Sequence, residues 1–181
     1  MRGGLLFWGL PALFGEMKMK NLLRLLMVIA VLFPASAVKA LNPAGAEPFA
    51  GTWVLNVQKS VYPAGTCPKR MVIEMEKEGD GVRYRSSAWY ANGAASFSHY
   101  TAKYDEHEVL VQGSNGFLLP VSLKRVAAGT VIATYRRGMQ PVATSRRELS
   151  ADGQVMTITT VVTGKDGGTV TTIGVYERST R

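Results

Sequence analysis

From Gly51 onward, apolar and polar positions alternate with period two in short runs rich in Val, Thr, Tyr and Ile. Clusters of Gly, Asn, Asp and Pro interrupt these runs about every 8 to 12 residues, the pattern of short strands joined by tight turns. The alternation predicts ten strands, over residues 52–58, 70–78, 82–90, 96–104, 107–112, 117–125, 130–136, 142–149, 155–162 and 169–178. No stretch after Leu41 keeps an apolar repeat at helical spacing for more than about two turns. Gly79-Asp80-Gly81, Asn92-Gly93, Asp152-Gly153 and Asp166-Gly167 supply residues that tolerate positive φ where hairpins reverse. Strands joined this tightly are antiparallel neighbours.

The hairpin at Asp152-Gly153 is specified by its own side chains. With those two residues as the centre of the turn, Leu149 faces Met156, Arg147 faces Ile158 and Ser145 faces Thr160. A slip of one residue would turn every side chain over and set charged Glu148 against Met156. The favoured register therefore puts Arg147 on the apolar face. About 8–10 strands in roughly 140 residues fit an all-β, antiparallel up-and-down barrel, which leaves no unpaired sheet edge. A two-layer sandwich satisfies the same alternation.

Before residue 41 the pattern is of another kind. Lys18, Lys20 and Arg24 precede an apolar run ending near Phe33, followed by Ala35-Ser36-Ala37. A positive start, an apolar centre and a small-residue cleavage site are the three parts of a secretory signal peptide. The division expected is a signal peptide over 1–40 with translation starting at Met17 or Met19, a flexible lead-in over 41–50, and one barrel domain over 51–181. The apolar run is shorter than the roughly 20 residues a membrane span needs. The expected location is the periplasm or the exterior.

Charge changes little. Five of the 21 basic and one of the 13 acidic residues precede Leu41, leaving 16 against 12. That mild, dispersed excess offers no concentrated basic patch for nucleic acid.

Gly51-Thr52-Trp53, at the first strand, resembles the G-x-W motif that opens lipocalins and related calycin barrels. The runs GTWVLNVQKSVYPAG, SADGQVMTITT and the closing VYER are similar to a group of exported bacterial lipocalin-like proteins of undefined function. The resemblance spans residues 49–178 and implies that Arg178 packs across Trp53 to close one end of the barrel. It also implies a binding role, with a small apolar or amphipathic molecule as ligand.

A small barrel of this kind holds its ligand among apolar walls with a few polar groups fixing orientation. Tyr84, Tyr90, Phe97, Tyr135, Met156 and Ile158 are the residues expected to line it, with Arg147 meeting a carboxylate or phosphate head. The alternative is a filled barrel acting as a protein-contact module, a hydrolase inhibitor or assembly factor using residues 62–69 as an arm. Catalysis and cofactors are not indicated. His99 and His107 fall on positions that do not face each other, and lone Cys67 has no placed base beside it. Glu74, Glu76 and Glu78 share one strand face opposite Met71, Ile73 and Met75, which makes them solvated exterior.

Overall fold

Ten antiparallel strands wind once around a common interior in the computed structural model, which describes residues 46–115 and 118–179. They are β1 (Gly51–Leu55), β2 (Arg70–Glu78), β3 (Gly81–Trp89), β4 (Ala95–Lys103), β5 (Gln112–Ser114), β6 (Val121–Ala127), β7 (Thr130–Arg137), β8 (Gln140–Leu149), β9 (Val155–Thr163) and β10 (Thr169–Arg178). Sequence neighbours pair at every step except between β5 and β6, and β1 pairs with β10, so the ladder runs β5-β4-β3-β2-β1-β10-β9-β8-β7-β6. Its two ends meet through isolated bridges, Asp105↔Lys124 and Val109↔Val121, with Val109 and Val121 exchanging both backbone hydrogen bonds at 2.9 Å. This is the up-and-down barrel that the alternation predicts, and closure satisfies the edges an open sheet would leave bare.

The register at the 152–153 turn is the one favoured by the side chains: Leu149 pairs with Met156, Arg147 with Ile158 and Ser145 with Thr160. On β2, Ile73 and Met75 are buried while Glu74, Glu76 and Glu78 are exposed. Three strands depart from expectation, β6 by starting at Val121 and not at residue 117. β1 stops at Leu55 instead of residue 58, because Asn56 caps a short 3-10 turn over Val57–Lys59 by accepting from the Lys59 amide. β5 is confined to Gln112–Ser114 where pairing was expected over 107–112, since Glu106 takes a positive φ of 64° and the chain regains β4 only at Gln112. Phe117, the expected start of the sixth strand, and the proposed signal region 1–40 lie outside the described residues.

One end of the barrel is solid. Trp53 is fully buried and donates from Nε1 to the Phe49 carbonyl at 2.9 Å. Arg178, its register partner on β10, lies with its guanidinium carbon 4.2 Å from the indole centroid. The same guanidinium donates to the carbonyls of Gly153 (2.8 Å), Pro48 (2.9 Å) and Ala50. Glu47 pairs with Arg125, which in turn lies 4.0 Å above Tyr104. Residues 47–50 of the proposed lead-in are thus strapped across the barrel end. Gly51 is required there: its φ is +131°, and a Cβ would stand 2.6 Å from Arg178 Nη1. Above this layer Ile73, Met75, Val82, Leu123, Val131 and Met156 fill the interior.

Candidate functional site

The other half of the barrel is hollow. Three strands carry small or hydroxylic inward residues there: Ser86 and Ala88 follow Tyr84 on β3, Ser98 and Ser96 precede Tyr100 on β4, and Ser145 precedes Arg147 on β8. The result is a cavity of about 400 Å³. That lies within the range of pockets that enclose small ligands.

Its floor is built around one charge. Arg147 is 3% exposed, and its Nη2 donates to the Tyr100 hydroxyl at 2.6 Å, a bond that spans the interior from β8 to β4. The guanidinium carbon sits 4.7 Å from the Tyr84 ring, which is stacked on Tyr100 with centroids 4.8 Å apart and planes 14° from parallel. Arg147 Nε is buried and has no hydrogen-bond partner among the described residues. Among the described residues Arg147 forms no ion pair with a carboxylate; the groups acting on it most strongly are the phenols of Tyr100, Tyr135 and Tyr84. Burial pushes Tyr84 up to about 12, although Arg147 acts against it, and pushes Tyr100 further in the same direction. Both phenols are therefore neutral at ordinary pH, and no described carboxylate pairs with the arginine charge. An unpaired buried charge costs several kcal/mol.

The sequence matches no family model and no curated protein. Solved structures do match. A Schistosoma mansoni fatty acid binding protein in complex with arachidonic acid aligns with TM-score 0.55 at 18% identity, over 74% of this chain and 97% of that one. Zebrafish ileal bile acid-binding protein complexed with cholic acid aligns with TM-score 0.50 at 15% identity, over 73% of this chain and 99% of that one. The fold is an antiparallel up-and-down β-barrel like that of these two proteins. At these identities the likeness establishes architecture alone.

Of the seven residues expected to line a ligand site, five line this cavity: Arg147, Tyr84, Tyr90, Tyr135 and Ile158. Phe97 does not. Ser96, Ser98 and Tyr100 take the inward positions of β4, which turns Phe97 outward, where it is 43% exposed and packs edge-on against Trp89 at 6.2 Å. Replacing Phe97 by alanine should leave ligand affinity unchanged within about twofold, measured by fluorescence titration, because surface changes of this kind typically cost little. Met156 faces inward but below the floor, fully buried in the packed half.

Sequence reasoning missed Tyr62, Tyr100 and Tyr176, all of which line the cavity. Tyr62 and buried Pro68 come from the 62–69 segment, so part of the expected exposed arm folds over the cavity, while residues 63–66 remain exposed. Gly174 makes room there: a Cβ would lie 2.7 Å from Tyr176 Cε2 and 3.0 Å from the Tyr62 hydroxyl. Cys67 is half-buried, and desolvation pushes its thiol up, away from a reactive thiolate. His99 pairs with Gln112 on the outer face and His107 is exposed beside Asp105. Among the described residues no three His, Cys, Asp or Glu side chains group as metal ligands, and no helix is long and apolar enough to cross a membrane.

The buried phenols set the alkaline limit of the fold. Five of seven tyrosines, at 62, 84, 100, 104 and 176, are raised, with desolvation the largest cause in each. A raised phenol keeps its proton in the folded state after the unfolded chain would release it. Its contribution is complete below the ordinary value of 10.0 and is lost as pH climbs through the folded value, about 12 for Tyr84. Stability should therefore fall as pH rises above 10. Absorbance titration should show these five phenols ionising together with unfolding; their ionisation in the ordinary range with the fold intact would contradict it.

Proposed function

We propose that this protein binds a small amphipathic acid inside the barrel, with the anionic head on Arg147 and the apolar part along Met71, Ile158, Val162 and Val111. The observation that carries the reading is a buried guanidinium, lacking a protein carboxylate, at the floor of a cavity of ligand size. Bringing a carboxylate there would give Arg147 a counter-charge and its Nε an acceptor. The two similar barrels were solved with acids, arachidonic and cholic, which supports the same class of ligand. The role proposed is binding rather than catalysis. Palmitic acid and the matching neutral alcohol, hexadecanol, separate this reading from simple apolar uptake. By calorimetric titration of the purified protein, the acid should bind at least about tenfold tighter, as charge-assisted hydrogen bonds are stronger than neutral ones. Equal affinity, or no uptake of either, would refute it.

The hollow half-barrel weighs against the filled protein-contact module, although exposed residues 63–66 and the Trp89–Phe97 pair keep a surface available to a protein partner. We propose further that residues 1–40 direct export and that the barrel acts in the periplasm or outside the cell. Cell fractionation with immunoblotting would place it, and retention of the full-length chain in the cytosol would count against export.

A further inference from the structure

Directly above the charged floor, the cavity wall is hydroxylic. One register step from the Tyr84↔Tyr100 pair, Ser86 faces Ser98 with their hydroxyls 2.8 Å apart. One step from Arg147↔Ile158, Ser145 faces Thr160 at 2.7 Å. In the ladder order, β4 and β9 are five strands apart, and so are β3 and β8. In a closed ten-stranded barrel that puts the two pairs on opposite walls. A ligand whose head reaches Arg147 must pass between them.

A pair of hydroxyls holds two hydrogens, and the bond within the pair uses one. For Ser145 and Thr160 the second hydrogen has no acceptor among the described residues; Ser86 additionally faces the Tyr84 phenol. The belt thus offers at least one donor and several lone pairs toward the middle of the cavity. A bare methylene chain lying there would desolvate these groups without replacing their bonds, and a site built to bond a hydroxyl discriminates against analogues lacking one. One register step is two residues, which along a strand tilted about 40° advances roughly 5 Å along the barrel axis. That is the distance from an acid head to its first few carbons.

Resting on the acid-binding reading above, we infer that the ligand carries a hydroxyl within the first few carbons of its acid group. The probes are palmitic acid, β-hydroxypalmitic acid and ω-hydroxypalmitic acid, titrated into the purified full chain. The β-hydroxy acid should bind about fivefold tighter than palmitic acid, the factor one net hydrogen bond contributes. The ω-hydroxy acid should gain nothing. Ser145→Ala with Thr160→Val, and separately Ser86→Ala with Ser98→Ala, should shrink the ratio of the β-hydroxypalmitic and palmitic affinities, with circular dichroism reporting that the variants are folded. Equal affinity for palmitic and β-hydroxypalmitic acids overturns this inference and leaves the acid reading standing. So does a preference that survives both double variants, or an ω-hydroxy acid that binds as tightly as the β-hydroxy one. No uptake of any of the three removes the acid reading and this inference with it.

Discussion

Arg147→Met is expected to weaken binding of a long-chain acid by about 2–5 kcal/mol, the usual cost of removing one partner of a buried, hydrogen-bonded charge pair. Affinity for hexadecanol should be unchanged or improved. Methionine approximates the length of the aliphatic stem and brings no charge, so the barrel need not collapse. The variant should also be at least as stable as the parent without ligand. A guanidinium held at 3% exposure without a carboxylate is a standing cost, and its removal offsets the loss of the 2.6 Å bond to Tyr100. Calorimetric titration and urea unfolding of the two proteins read both effects. An acid affinity unmoved by the substitution would mean that the ligand head lies elsewhere.

Trp53→Ala should carry the largest loss of stability, about 3–5 kcal/mol, the range for emptying a fully buried aromatic site. The indole is 0% exposed, anchors Phe49 through its Nε1 and lies under Arg178. Arg178→Met should cost less, about 0.5–2 kcal/mol for the stacked cation plus its carbonyl bonds to residues 48, 50 and 153. Urea midpoints in that order, with ligand affinity retained wherever the protein is folded, would separate the structural end of the barrel from the binding end. A ligand affinity that collapsed in folded Arg178→Met would contradict that division.

Most of the architecture was legible because one physical constraint repeats along the chain. Strand residues that alternate across a wall must put their apolar members inside, and a slip of one residue at 152–153 would have buried Glu148 in place of Leu149. That register also places Arg147 inward. The site was legible only in part, because a cavity lined by hydroxyls inverts the usual signal. On β4 the inward set is Ser96, Ser98, Tyr100 and Ala102, and the outward set includes Phe97, so the hydrophobic rule takes the wrong face at the hollow end. Tyr100 was missed for the same reason. Met156 shows a different limit: alternation gives the face of a residue but not its depth, and depth here is set by the Arg147–Tyr100 bond across the interior. Tyr62 lies on an irregular segment with no periodicity to read.

The most direct test follows the ligand's own acid group. Palmitic acid labelled with carbon-13 at the carboxyl should, when bound, keep the chemical shift of its ionised form as pH falls through the ordinary carboxyl range of about 4 to 5, because the buried guanidinium holds the carboxylate ionised. In Arg147→Met the bound label should titrate within or above that range. A label that titrates normally, with the same curve in both proteins, would contradict an acid head seated on Arg147.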